Sequence, residues 1–310
     1  MEFWDRWVQA PQGVRLRKAI FQVHLWSGVG LGIYIFVISL TGSVLVYRNE
    51  LYIAFAPQPV IVEGSGAALS ADALERAATE SYPDHEVRDI RQADNPNQAV
   101  EIALLRDGER IRRLFHPFTG ADLGDPLPLG YRVTAWLLDL HDNLLGGETG
   151  RRINGIGALL LIVLAITGAV VWWPGISRWR RSLTVDRRRF NWSLHSTFGF
   201  WCWPFLLMWG VTGAYLSFPA LFSAIVDYLE PFDPTNPVDR IGDRVMYWLA
   251  FLHFGRLGGR GIPGCEAVCN EVAKATWALI GIVPTALFVT GTVMWWNRVV
   301  RRRLASKSTT

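Results

Sequence analysis

The sequence predicts an all-α transmembrane four-helix bundle, built from two tandem helix-pair repeats and carrying a small α+β domain outside the membrane. Three observations predict it. Four apolar stretches are long enough to cross a bilayer, two sets of motifs recur in order along the chain, and one intervening segment switches to the alternation of strands. The 310 residues include 15 Trp, and 19% are charged. A soluble protein with a large core could show the same values, so segment length decides the class.

About 20 apolar residues cross roughly 30 Å of hydrocarbon at about 1.5 Å per residue. Residues 19–47, 153–173, 190–226 and 275–296 reach that length. The first contains "FQVHLWSGVGLGIYIFVISLTGSVLVY", which holds no Asp, Glu, Lys or Arg and one histidine, His24. Its apolar part exceeds the roughly 7–15 residues of a signal-peptide core and no small-residue cleavage site precedes Arg48, so it is expected to stay as an anchor.

Charge sets the expected orientation. Segment 1–18, loop 174–189 and tail 297–310 hold 15 Lys/Arg against 3 Asp/Glu, while the rest of the chain holds 16 against 24. Arginine-dense loops such as "RWRRSLTVDRRR" stay cytoplasmic, which places both termini inside and 48–130 outside. An outer interfacial helix would then lead into the second span within 131–173, and 227–274 would form an outer loop with a second interfacial helix. The net charge of +4 reflects this topology, so anionic lipid headgroups are the expected partner of the arginines, and nucleic acid is not expected.

Within 48–130, Ser70 is placed to cap a helix that carries Leu74, Ala77 and Ala78 on one side. Val100, Ile102 and Leu104 alternate as a half-buried strand does, and Asp107-Gly108 and Thr119-Gly120 mark turns. One helix on a small antiparallel sheet is an α+β module. His85 and His116 fall here and read as solvated surface residues.

The repeat is legible without a gap. "HLWSGVGLGIYIFVISLTGSVLVY" from His24 aligns with "HSTFGFWCWPFLLMWGVTGAYLSF" from His195, matching Gly28 with Gly199 and Thr41-Gly42 with Thr212-Gly213. "LHDNLLGG" from Leu140 matches "LHFGRLGG" from Leu252, and "TGAVVWW" from Thr167 matches "TGTVMWW" from Thr290. Two parallel repeats, each beginning and ending in the cytoplasm, are implied. They pair His24 with His195 toward the cytoplasm and His141 with His253 toward the outside. On a straight helix Gly28 and Gly42 share the face of His24, as Gly199 and Gly213 share that of His195, so a flat cofactor could lie against each stripe.

Ionisable groups in spans are costly and point to function. Zinc or di-iron sites draw on further carboxylate or thiolate ligands, which the spans lack. Two imidazoles at one depth suit the two axial positions of haem, and without a C-x-x-C-H sequence that haem is non-covalent, b-type. Copper held by two histidines competes with it. Arg151, Arg152, Arg256 and Arg260 follow the outer histidines, where they either snorkel to the interface or pair with haem propionates or an anionic substrate. Cys202 reads as packing; Cys265 and Cys269 read as a disulfide, with free thiols or half a metal site as alternatives.

"VHLWSGVGLGIYIFVISLTGSVLVYRNEL", "RRLFHPFTGADLG", "LHDNLLGGETGRRINGIGALLLIVLAITGAVVWWPG" and "NWSLHSTFGFWCWPFLLMWGVTGAYLSF" together resemble the PepSY-associated transmembrane-helix family, which includes bacterial ferrisiderophore reductases. The resemblance implies a PepSY-like outer module and an inner-membrane protein with two bis-histidine haems b on His24, His195, His141 and His253. It would carry electrons from a cytoplasmic donor or quinol to a ferric siderophore or other ferric chelate outside. The cysteine-bearing insertion near 265–269 departs from the first repeat at the outer face. Two further classes fit the residues: a PepSY-type regulatory or binding membrane protein without redox activity, and an iron or copper transport component.

Overall fold

The computed structural model describes residues 3–64, 66–231, 240–256, 266–301 and 304. Its helices and strands follow in chain order as α1 (Phe3–Gln9), α2 (Arg15–Gly30), α3 (Gly32–Leu45), α4 (Arg48–Ala54), α5 (Ala71–Ser81), β1 (Glu86–Arg91), β2 (Val100–Arg106), β3 (Glu109–Phe115), β4 (Asp122–Gly124), α6 (Leu129–Asn143), α7 (Gly147–Trp172), α8 (Phe190–Ser217), α9 (Pro219–Leu229), α10 (Ile241–Phe254), α11 (Glu266–Gly281) and α12 (Val283–Trp295). The chain divides into two units, 1–47 with 136–310 and 48–135, so the boundary falls inside α6.

Unit 48–135 is an antiparallel meander in the order β1-β2-β3-β4. Ser70 caps α5 by accepting from the Ala73 amide at 3.3 Å. Leu74 and Ala78 on α5 meet Val100, Ile102, Leu104 and Phe115 in one buried cluster, which realises the alternation read in the sequence. Asp107 and Gly108 both take positive φ, 51° and 84°, as a two-residue hairpin loop matching the twist of β2 and β3 requires. The two histidines here are not plain surface residues. His116 Nδ1 accepts from the Phe118 and Thr119 amides at 3.2 and 3.3 Å, which shapes the turn before β4, and His85 stands edge-on to Tyr82 at 5.6 Å.

The other unit is helical. Among the described residues, two helices are long and apolar enough to cross a membrane, Gly147–Trp172 and the continuous stretch Val268–Val300, and two bent pairs raise the number to as many as four. The sequence led us to expect one unbroken first span. Instead α2 and α3 meet at 64° around Leu31, within the run Gly28-Val29-Gly30-Leu31-Gly32, where three glycines weaken the helix and leave it free to turn. Phe288 fills the space a side chain at Gly32 would occupy. α8 bends by 92° into α9 after Ser217, with Pro219 at the first turn of the new helix. The 28 residues of α8 reach about 42 Å by themselves, so α9 is not needed to complete a crossing.

The α11–α12 junction shows how the halves interlock. Pro284 has no amide hydrogen to donate. One residue on, the Thr285 amide donates to Ser39 Oγ at 3.3 Å, and Ser39 Oγ donates to the Gly281 carbonyl at 2.5 Å. A hydroxyl from α3 is therefore inserted into the i to i−4 step of the last span. The matching contact between α7 and α8 has no insertion: a side chain at Gly210 would press on the Ala158 carbonyl and the Ile162 amide. Glycine there lets the two backbones approach closely.

Candidate functional site

All four of the histidines paired by the repeat lie in the helical unit. His24 comes from α2, His141 from the end of α6, His195 from α8 and His253 from the end of α10. The ring centres of His24 and His195 stand 6.4 Å apart, and those of His141 and His253 stand 6.2 Å apart. The structure thus brings together the residues that the duplication pairs.

Each ring is held by a threonine. Nδ1 lies 3.2 Å from Thr167 Oγ1 for His24, 3.1 Å from Thr41 for His141, 3.0 Å from Thr290 for His195 and 2.9 Å from Thr212 for His253. Every one of these hydroxyls donates its own hydrogen to the carbonyl four residues earlier in its helix, at 2.7 to 2.8 Å. The oxygen is then an acceptor toward the imidazole, so Nδ1 carries the hydrogen and Nε2 keeps its lone pair. That tautomer presents Nε2 as a metal ligand, with the threonine fixing ring orientation.

A glycine follows each of these threonines. A Cβ at Gly42 would sit 2.8 Å from His141 Cε1, one at Gly168 3.0 Å from His24 Cε1, and one at Gly291 3.3 Å from His195 Cε1. At Gly213 it would meet Ala158 Cβ at 3.3 Å and His253 Cε1 at 3.9 Å. Gly28 and Gly199 serve other neighbours, Leu164 at 3.7 Å and Leu287 at 3.9 Å. The break at Leu31 divides the first glycine stripe, so its two ends do not share one straight face.

The repeat alignment marks Thr41, Thr167, Thr212 and Thr290 as matching positions, but the sequence alone assigns neither them nor Gly168 and Gly291 a role toward the histidines. The signal was present. A Thr-Gly dipeptide recurs in each of the four apolar stretches, at Thr41, Thr167, Thr212 and Thr290.

The geometry suits a metal between two imidazoles. A metal–nitrogen bond of about 2.0 Å and about 1.2 Å from ring nitrogen to ring centre put two opposed imidazoles about 6.4 Å apart. Among the described residues no group of three or more His, Cys, Asp or Glu converges. Each pair has two imidazole nitrogens to offer, the number a macrocycle with four nitrogens of its own requires. All four rings are only partly buried.

The arginines are placed less tellingly. Arg152 pairs with Glu148 four residues earlier, Arg151 with Asp142 at 2.8 Å, and Arg256 lies over the Phe254 ring at 5.6 Å. Arg260 and Cys265 lie outside the described residues. Cys269 is disulfide-bonded, and Cys202 is a free, partly buried thiol.

A family model described as the PepSY-associated TM region matches residues 21–237 and 229–298, most of the chain and all four histidines. The chain belongs to the PepSY-associated transmembrane family. It is a membrane protein of that class. A curated relative, Uncharacterized protein PA4219 of Pseudomonas aeruginosa, is 34% identical over 88 residues, 27% of this chain and 22% of that protein. The chain thus spans about a fifth of the length of the curated relative it matches.

Proposed function

We propose that this PepSY-associated protein is a di-haem b oxidoreductase of the bacterial inner membrane. It would pass electrons from a cytoplasmic donor or quinol to ferric iron, free or held by a siderophore, on the periplasmic side. The observation that carries this reading is the fourfold Thr–His unit arranged as two facing histidine pairs, at 6.4 and 6.2 Å. In the reading, α2 with α3, α7, α8 and α11 with α12 are the four spans of a bundle whose termini lie in the cytoplasm.

His24 and His195 would hold the inner haem and His141 and His253 the outer one. Haem bound there supplies one-electron iron chemistry, tuned by axial ligand, hydrogen bonding and burial. The chain's own residues do the rest. The threonines hold each imidazole in the Nδ1–H tautomer and raise the basicity of Nε2. The glycines let the rings lie against the neighbouring helix. At the outer face, reduction would loosen ferric chelates, because hard oxygen ligands hold Fe(II) less tightly than Fe(III).

The test is the optical spectrum of the purified protein, oxidised and dithionite-reduced, with haem counted per chain. Two bis-histidine haems per chain are expected. His195→Ala and His24→Ala should each remove the same one, and His253→Ala the other. A colourless protein from cells with ample haem rejects the reading, and a spectrum unchanged by His195→Ala rejects the pairing.

A further inference from the structure

We infer that Asn154 and Trp277 are equivalent positioning residues. Each anchors the last turn of the helix that carries an outer histidine, and so sets how that imidazole is presented to its partner; the inference rests on the two-pair reading above. Asn154 Nδ2 donates to the carbonyls of His141 and Asp142 at 2.8 and 3.0 Å, at the end of α6. Tyr34 donates its hydroxyl to Asn154 Oδ1 at 2.7 Å, which turns the amide so that its NH2 faces those carbonyls. In the second half, Trp277 Nε1 donates to the Leu252 carbonyl at 2.7 Å, one residue before His253. The indole is buried, meets Phe205 edge-on at 5.8 Å and covers Gly255, whose φ of 66° and missing side chain allow the approach.

The positions correspond one to one. Asn154 and Trp277 precede Thr167 and Thr290 by 13 residues each, and Tyr34 and Phe205 precede Thr41 and Thr212 by 7 each. The two halves thus fill the same places with unlike chemistry, Tyr–Asn in one and Phe–Trp in the other. What they share is an N–H donor on a terminal carbonyl beside the histidine. Carbonyls in a last helical turn lack the usual i+4 amide partner; that of Leu252 receives the Gly255 capping amide at a long 3.4 Å besides the indole. With the backbone fixed by this donor and Nδ1 fixed by the threonine, Nε2 has one direction left.

The experiment uses the full chain in nanodiscs. Trp277→Phe removes the N–H and keeps the ring, Asn154→Asp replaces the donor by an acceptor, and Tyr34→Phe releases the amide. In the haem-loaded protein, electron paramagnetic resonance separates two low-spin signals, and the outer one is assigned by its loss in His253→Ala. Trp277→Phe and Asn154→Asp should shift or split the outer signal and leave the inner one unchanged, with a smaller effect of Tyr34→Phe. Lower melting temperatures with both signals unchanged would overturn the inference. The haem-free protein labelled with 15N-histidine gives a readout that needs no haem. Trp277→Phe should move the ring resonances of His253, and Asn154→Asp those of His141, while His24 and His195 stay in place. Should the parent chain take up no haem, the two-haem reading fails and this second readout still decides; unmoved outer resonances overturn the positioning role even in a protein that binds haem.

Discussion

At Thr290 the hydroxyl hydrogen goes to the Ala286 carbonyl, which leaves the oxygen's lone pairs toward His195 Nδ1. Valine has nearly the same shape and no acceptor. If the proposed haems are present, Thr290→Val should weaken retention of the one between His24 and His195 by about 10- to 100-fold, the usual cost of losing a ligand's supporting hydrogen bond. Haem remaining per chain after dilution measures it, and Thr212→Val should act on the outer haem alone. The glycines make a sharper contrast. Gly42→Ala puts a methyl 2.8 Å from the His141 ring, whereas Gly28→Ala puts one at an ordinary 3.7 Å from Leu164. The first should disturb the outer haem spectrum, and the second should leave both haems and the melting temperature close to those of the parent. Equal effects would show that ring contact is not what glycine is there for.

Among the elements, the last span depends on a side chain it does not own. Ser39→Ala would leave the Gly281 carbonyl and the Thr285 amide facing each other across the gap the hydroxyl fills. Thermal unfolding in detergent should show a loss of about 1–2 kcal/mol. The 48–135 module has its own weak point. Burial works against the Asp122 carboxylate, yet hydrogen bonds from Arg113, Tyr82 and the Gly124 amide outweigh it and hold its pKa below the ordinary carboxylate value. A depressed pKa stabilises the fold above the unfolded-state value, about 3.9, and that contribution is lost as pH falls through the folded-state value. Proteolysis of residues 48–135 in the full chain should be slow at pH 5 and faster below pH 4. Asp122→Asn should be cut faster at pH 5 and respond less to acid.

Across the whole molecule, some of this arrangement was legible in the sequence. Aligning His24 with His195 and His141 with His253 requires only the duplicated motifs, and the ring pairs stand where that alignment puts them. The small module was legible because Val100, Ile102 and Leu104 alternate over a strong turn signal at Asp107-Gly108. The threonines were harder to see. A hydroxyl in an apolar helix usually bonds back to its own i−4 carbonyl, and these do so as well, so nothing local marks their second role. The three glycines around Leu31 were visible, though not the bend they permit, and the insertion of Ser39 was out of reach because it depends on a neighbour remote in sequence, Thr285.

The hydroxyl and the opposing imidazole come from different places. His24 takes its threonine from its own half and faces a ring from the other, and His141, His195 and His253 do the same. One half by itself would hold two correctly oriented rings with nothing across from them. The chain pairs its halves as the subunits of a two-fold dimer are paired, and cutting it at 174–189 would leave two fragments, neither of which holds a facing pair of rings by itself.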